Sequence, residues 1–233
     1  RRADLLQSIL DAEAQDGELN NNDIKSDPKK ISADDVSINA TVLLVAAFGT
    51  VSTQLSYMLY AIAKHPEVQE KMREEVEAAL KKSGELDYNT VMSLTYANQV
   101  MQETMRMYPS VIIFTTREAE VDREVSGLKI PAGTTILAPT YQVHMDERHW
   151  PEPEKFDPER FSPENSKTRH PLAYQPFGMG PRNCAGMRLA IVEMLYTVAR
   201  MLLEYRVELG ESNREKWAWI STLWCQDRAG DRG

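Results

Sequence analysis

The sequence has few of the residues from which several common sites are built. Its two cysteines, Cys184 and Cys225, are too few for a disulfide framework. It contains no CxxC pair and no HExxH motif, and its four histidines are scattered, so no zinc-binding pattern is present. Basic residues are also scarce, since 27 Lys and Arg against 35 Asp and Glu give a net charge of −8. That balance argues against non-specific binding to nucleic acid, which needs a cationic surface.

Long apolar runs are missing too, because no 18 consecutive residues are apolar. Residues 36–63 contain no charged side chain, but Asn, Thr, Ser and Gln interrupt them. These polar groups would make insertion into a bilayer costly, so we interpret the segment as a long helix that is buried inside the protein. Because the sequence begins at Arg1 and no apolar segment follows directly, we expect neither a signal peptide nor a membrane anchor in it.

What is present is a globular composition, 42% hydrophobic and 27% charged in 233 residues. Nine of the twelve prolines lie between Pro131 and Pro181, and the sequence on either side has helical periodicity. We predict helices at 3–15, from Ser32 to about 63, and at 66–83, 96–107 and 187–205; short strands at 111–116 and 134–137; a hairpin turn at 125–128; and an exposed loop at 16–30. The long irregular segment 144–181 is typical of a functional region.

The segment 177–186, which reads FGMGPRNCAG, is the most informative for chemistry. A lone cysteine is usually a small buried hydrophobe, and a GxG pair without its third glycine is a poor dinucleotide loop. However, Cys184 lies just before a predicted helix, whose first N–H groups can stabilise a thiolate. The glycines let a flat ligand approach the backbone, Arg182 can neutralise a carboxylate, and Phe177 can pack beside the ligand. A thiolate-ligated haem has these requirements.

This segment resembles the haem-loop signature FxxGxRxCxG of the cytochrome P-450 family, at Phe177, Gly180, Arg182, Cys184 and Gly186. The resemblance extends to about residue 209 and is strongest to microsomal, drug-metabolising members. It implies a mainly α fold with small β-sheets, of which this chain is the carboxy-terminal half. A long central buried helix and a cysteine loop before the last long helix belong to that fold. We therefore divide the chain into a partial haem-thiolate domain, residues 1–209, and a divergent tail, residues 210–233.

Three further segments follow the order of the family's motifs. Glu103 and Arg106 match its ExxR motif, and at i,i+3 they lie on one helix face and can pair. Residues 156–161, FDPERF, resemble its PERF segment, in which the arginine, here Arg160, joins that pair in a structural network. Residues 46–50, AAFGT, resemble the oxygen-side motif of the central helix.

The resemblance assigns a role to each matched residue. Cys184 is the axial ligand of the iron in haem b, iron protoporphyrin. Arg182 and Arg117 hold the haem propionates, Phe177, Gly180 and Gly186 shape the haem face, and Thr50 helps to handle oxygen. The substrate pocket is lined by Ala46, Ile112, Ile113 and Phe114.

The implied activity is that of a monooxygenase, which inserts one oxygen atom of O2 into a small apolar organic substrate. An NADPH-dependent reductase supplies electrons, and a full-length parent lies on the cytosolic face of the endoplasmic reticulum membrane. Two alternatives stay open. One is a peroxide isomerase or dehydratase on the same fold, and the other is a non-catalytic haem-binding fragment.

The sequence departs from the family's pattern in three places. Gly49 stands where an Asp or Glu usually precedes the central-helix threonine, so the proton relay through Thr50 lacks its acid. The tail 217–233, with Cys225, does not resemble the family's closing strands. The family's amino-terminal half, with its membrane anchor, is expected before Arg1.

Overall fold

The computed structural model describes residues 7, 32–113 and 115–210. These residues form a mainly helical structure with two small antiparallel sheets, which confirms the predicted fold class. The predicted helix 3–15 (apart from Gln7), the loop 16–30, Phe114 and the tail 211–233 lie outside the described residues. In chain order the elements are helices α1 (Ala33–Lys64), α2 (Pro66–Ser83), α3 (Tyr88–Met92) and α4 (Thr95–Met107), strands β1 (Thr115–Glu118), β2 (Arg123–Val125), β3 (Leu128–Ile130) and β4 (Thr135–Ala138), and helices α5 (Thr140–His144), α6 (Pro163–Ser166) and α7 (Met187–Glu204).

The chain divides into two compact units, residues 1–50 and 51–233. In the first unit, α1 begins at a capping box in which Asp replaces the usual Glu. The amide of Asp35 donates to Oγ of Ser32 at 3.1 Å, and that hydroxyl donates to Oδ2 of Asp35 at 2.7 Å. The start of this helix after Ser32 is therefore confirmed.

Burial along the first part of α1 differs from the prediction. The large apolar side chains Ile38, Val42, Leu44, Val45 and Phe48 are exposed, Phe48 to 79%. In the first unit the structure describes only Gln7 and the helix itself, so no second described element is available to cover these side chains. The expectation of a helix buried throughout is thus wrong for this part of α1 among the described residues.

Length and composition alone would allow α1 to cross a membrane. The core helix of a soluble protein meets the same two criteria. Three of its hydroxyl side chains bond within the helix. The hydroxyl groups of Thr41, Thr50 and Ser56 donate to the carbonyls four residues earlier, at 2.7 to 2.9 Å. Such bonds let polar residues sit in an otherwise apolar helix.

The second unit has one main hydrophobic core. Helices α2, α4 and α7 contribute to it, together with the carboxy-terminal end of α1. The four-residue repeat of α2 buries Val68, Met72 and Val76, as predicted. Gly84 ends α2 in the left-handed conformation, with φ of 84°, and its amide donates to the carbonyl of Leu80. Helix α7 buries a matching face, formed by Met194, Leu195, Val198, Ala199 and Leu202.

Two short antiparallel pairs follow α4. Strands β2 and β3 form a hairpin whose turn residues, Ser126 and Gly127, both have positive φ, of 50° and 81°. This confirms the predicted turn. The flanking strands β1 and β4 pair with each other, with Arg117 opposite Ile136. The predicted strand 111–116 is shifted, since residues 111–113, just after Pro109, are irregular and β1 begins at residue 115.

The proline-rich segment contains short helical turns but little regular structure. Two 3₁₀ helices, Pro158–Phe161 and Pro171–Ala173, flank α6. A second, small core of Trp150, Phe161 and Ala173 holds them together. The indole Nε1 of Trp150 donates to the carbonyl of Ala173 at 3.3 Å.

Helix α4, which carries the ExxR residues, begins without a capping side chain of its own. Glu75 on α2 supplies one, because its carboxylate accepts from the amides of Tyr96 at 2.7 Å and Ala97 at 2.9 Å. We expect Glu75→Ala to lower the free energy of unfolding by about 1 to 2 kcal/mol, as for other lost caps.

The neighbouring exposed Glu74 provides the control, since Glu74→Ala removes a charge from the same helix without touching α4. Denaturant titration of both variants measures the difference. Equal losses would contradict the capping role of Glu75.

Candidate functional site

The centre of the site is a fully buried ion pair on α4. Glu103 and Arg106 lie one helical turn apart, and both side chains are 0% exposed. Nε of Arg106 donates to Oε2 of Glu103 at 2.7 Å, and Nη2 donates to Oε1 at 2.9 Å, so the contact is bidentate. Burial raises the pKa of the Glu103 carboxyl, and the Arg106 guanidinium opposes that effect.

The remaining donors of Arg106 bind the last residue of α5 and the irregular segment that follows it. Nη1 donates to the carbonyl of His144 at 3.0 Å, and Nη2 donates to that of Pro153 at 2.7 Å. The guanidinium also lies 5.2 Å from the ring centre of Trp150. One buried side chain therefore fixes several points of a segment that has no regular secondary structure.

Arg160, in the first 3₁₀ helix, lies beside this pair, as the family resemblance implied. Its Nε is 3.4 Å from Oε1 of Glu103, and its side chain is 11% exposed. Its Nη2 donates to the carbonyl of Glu152 at 2.8 Å. The amide of Asp157 also donates to Oε1 of Glu103, at 2.9 Å. The structure thus brings Glu103, Arg106 and Arg160 together.

The cysteine loop is closed by a main-chain hydrogen bond, in which the amide of Cys184 donates to the carbonyl of Phe177 at 2.8 Å. Gly178 and Gly180 take left-handed conformations, with φ of 70° and 80°, which other residues adopt at a cost. Cys184 itself is half-buried. A methyl group at Gly186 would lie 4.0 Å from its Sγ, an ordinary van der Waals contact, so this glycine lies directly beside the sulfur.

Helix α7 begins at Met187, three residues after Cys184, as predicted. Its N-cap residue, Gly186, offers no side chain to the first N–H groups. The partial positive charge of this helix end therefore lies close in sequence to the thiol. Phe177, at the start of the loop, packs against the main core.

The two proposed propionate ligands are exposed. Within the described ranges, neither Arg182 nor Arg117 forms an ion pair with an acidic side chain. Nη1 of Arg117 donates to the carbonyl of Thr116 at 2.9 Å. Both guanidinium groups are therefore free of protein counter-ions among these residues and remain available to an anionic ligand.

The predicted oxygen-side residues and two of the predicted pocket residues lie in different units and are described separately. Ala46 and Thr50 belong to the first unit, where the hydroxyl of Thr50 donates to the carbonyl of Ala46 at 2.7 Å. Ile112 and Ile113 are exposed. A Cβ atom added at Gly49 would meet nothing within 4 Å, so this position has room for a side chain.

Sequence reasoning missed the aromatic support of this region. Arg169 lies over two rings, with its guanidinium carbon 4.3 Å from the centre of Trp150 and 4.6 Å from that of Phe161. An arginine close to two aromatics in a proline-rich segment was the available signal. His144, set aside as one of four scattered histidines, is fully buried next to the same network.

The donor set fits a haem. Among the residues that the structure describes, no group of three or more His, Cys, Asp or Glu side chains could hold a bare metal ion. A single half-buried thiol can instead supply one axial ligand to an iron whose other ligands come from a porphyrin. The glycine beside Cys184 and the two arginines, which have no counter-ion among the described residues, suit a flat, anionic ring system.

Comparison with known proteins decides the family. The model of the family described as Cytochrome P-450 matches residues 1–219. The chain belongs to the cytochrome P-450 family. The predicted family is therefore confirmed, and membership implies binding of haem iron.

Several curated relatives are cytochrome P-450 3A proteins. Cytochrome P-450 3A13 of Mus musculus is 37% identical over 208 residues, which cover 89% of this chain and 40% of the relative. Cytochrome P-450 3A41 of Mus musculus is 38% identical over 204 residues, covering 88% and 39%. Cytochrome P-450 3A9 of Rattus norvegicus is 36% identical over 205 residues, which cover 88% of this chain and 39% of the relative. The chain thus spans about two fifths of the length of these relatives.

The buried ion pair gives a stability prediction. Glu103→Gln keeps the shape of the side chain but leaves the Arg106 charge buried without its main counter-ion. We expect the free energy of unfolding to fall by about 3 to 5 kcal/mol, as when one partner of a buried pair is removed. Denaturant or thermal unfolding measures this.

A matched control lies in the PERF segment. Glu159 pairs with Lys71 at 2.7 Å, and both side chains are 53% exposed. We expect Glu159→Gln to cost less than about 1 kcal/mol, because exposed pairs contribute little. A Glu103→Gln loss as small as that of the control would argue against the buried pair as a structural centre.

Proposed function

We propose that this chain carries the cysteine-loop side of a haem-thiolate monooxygenase, which inserts one oxygen atom of O2 into a small apolar organic substrate. The observation that carries the proposal is the half-buried Cys184, in a loop closed on Phe177 and with Gly186 beside the sulfur. When bound, haem b ligated by a thiolate supplies the oxygen-activating chemistry, since the thiolate favours O–O cleavage.

In this proposal the chain's residues hold and orient the cofactor. Cys184 would provide the thiolate that binds the haem iron. Arg182 and Arg117, which have no acidic partner among the described residues, bind the two propionates as charge-assisted hydrogen-bond donors. Phe177, Gly180 and Gly186 shape the surface against which the ring lies. Glu103, Arg106 and Arg160 hold the surrounding segment in place.

Proton delivery is assigned to Thr50 together with water, because the usual acid is replaced by Gly49. The Thr50 hydroxyl donates to the carbonyl of Ala46 at 2.7 Å, which holds it at a defined place on the helix. The substrate pocket is proposed to involve Ala46, Ile112, Ile113 and Phe114. An apolar substrate suits the apolar character of these residues.

The same proposal includes the setting of the full protein. An NADPH-dependent reductase is the electron donor, and the protein acts on the cytosolic face of the endoplasmic reticulum membrane, as expected for a microsomal, drug-metabolising member. Support comes from the similarity to cytochrome P-450 3A proteins. Residues 1–209 belong to the haem-thiolate domain, and residues 210–233 form a divergent tail.

Replacing the thiol tests the proposal directly. In the full-length, haem-loaded protein, the reduced carbonyl complex should show the red-shifted absorption band of a thiolate-ligated haem. We expect Cys184→Ser to abolish this band, because a hydroxyl group does not replace the electron donation of a thiolate.

Cys225→Ser is the matched control, since it removes the second cysteine of the chain, in the proposed tail. It should keep the band at full intensity. Retention of the band in the Cys184 variant would remove Cys184 as the ligand and contradict the proposed function.

Gly49 favours a second candidate, a peroxide isomerase or dehydratase on the same fold, since rearrangement of a peroxide needs no proton relay. The two activities differ in what they require. A monooxygenase needs NADPH and a reductase, whereas the second candidate turns over a fatty-acid peroxide without either.

The space at Gly49 allows a sharper comparison. Gly49→Asp restores an acid where an added Cβ meets nothing within 4 Å, and Gly49→Ala adds the Cβ alone. For a monooxygenase we expect the Asp variant to raise NADPH-coupled product formation by about tenfold, as an added proton donor can, and the Ala variant to leave it unchanged. Efficient peroxide turnover without reductase, unaffected by either change, would favour the second candidate.

A further inference from the structure

His144 is a fully buried polar residue that the proposed function does not use. It ends α5 and is 0% exposed. Its ring stacks on that of Tyr174, with centres 5.3 Å apart. The hydroxyl of Tyr174 in turn donates to the carbonyl of Gln102 on α4. A buried imidazole of this kind needs a reason, because polar groups away from water are costly unless they are paired.

The imidazole makes one hydrogen bond across a long sequence distance. The amide of Gln175 donates to Nε2 of His144 at 3.0 Å. Nε2 therefore acts as an acceptor, which requires the neutral ring with its proton on Nδ1. Burial lowers the pKa of His144 to about 4, and main-chain groups of Arg106 and Met105 only partly oppose this. The ring is thus in the accepting form at neutral pH.

Gln175 leads directly into the cysteine loop. The amide of Gly178 donates to the carbonyl of Gln175 at 3.1 Å, and the amide of Cys184 donates to the carbonyl of Phe177. The residue held by His144 therefore anchors the turn that leads into the loop, and a further main-chain bond of the loop starts at the amide of Cys184.

The other side of His144 contacts the buried ion pair. Its carbonyl accepts from Nη1 of Arg106 at 3.0 Å. His144 therefore touches both the guanidinium that Glu103 neutralises and Gln175, the residue that leads into the loop. The first contact uses the carbonyl of His144 and the second uses its ring. Because both groups belong to one residue, displacing one contact also changes the other.

We propose that His144 is a positioning residue for the Cys184 thiolate, because its neutral imidazole fixes Gln175, and with it the cysteine loop, to the buried Glu103–Arg106 pair. The inference rests on the proposed function, in which Cys184 ligates haem iron. Nε2 itself is not available to a metal ion, since it accepts from a main-chain amide.

The test compares His144→Gln with His144→Asn in the full-length, haem-loaded protein. The amide oxygen of Gln can take the place of Nε2 and accept from Gln175, whereas the shorter Asn side chain cannot reach it. In the Asn variant we expect the red-shifted thiolate band of the reduced carbonyl complex to decay about tenfold faster, the factor expected for one lost buried hydrogen bond. The Gln variant should stay within about twofold of the unchanged protein.

Gln69→Leu controls for general instability. Gln69 is also buried, and its side chain bonds both the amide and the carbonyl of Val207, at 2.8 and 2.9 Å. This variant should lower the melting temperature without shortening the lifetime of the band.

The outcomes separate the two proposals. If the unchanged protein shows the band and the band decays just as slowly in the Asn variant, the role of His144 is overturned and the proposed function stays intact. Equal acceleration in the Asn and Gln69→Leu variants, or in the Asn and Gln variants, would also overturn it. Absence of the band from the unchanged protein would overturn the proposed function and this inference with it.

Discussion

A carboxylate without access to water is the constraint on which the rest of this structure depends. Glu103 is fully buried, and its charge is matched by Nε and Nη2 of Arg106, by the nearby Nε of Arg160 and by the amide of Asp157. Removing a charge from water is favourable only when its partners are this complete. The cluster therefore fixes where α4, the PERF segment and the chain between them lie relative to one another.

This constraint explains how a segment with little regular structure can hold a defined position. Residues 144–186 contain only short helical turns, so the hydrogen bonds of long helices or strands do not fix their position. Arg106 instead binds carbonyls at His144 and Pro153, and His144 binds the amide of Gln175. Such hydrogen bonds, together with the small core around Trp150, hold this segment in position in place of regular secondary structure. The cysteine loop can then hold a defined position for a cofactor without regular secondary structure of its own.

Local sequence patterns predicted what depends on local physics. The repeat of α2, its end at Gly84 and the turn at Ser126 and Gly127 all follow from neighbouring residues and appear as expected. The ExxR pair and Arg160 were found by motif resemblance. Two features had no local signature. The exposure of Phe48 depends on which elements cover α1, and the burial of His144 depends on contacts with residues distant in sequence.

The buried Glu103–Arg106 pair holds the cysteine loop in place, and amide hydrogen exchange is the most direct measurement of that dependence. The amides of Gln175 and Cys184 are the ones to follow, in Glu103→Gln against the unchanged protein, with the β2–β3 hairpin as an internal reference. We predict that exchange at Gln175 and Cys184 accelerates while exchange in the hairpin does not change. Unchanged exchange at these two amides, or equal acceleration in the hairpin, would contradict the claim.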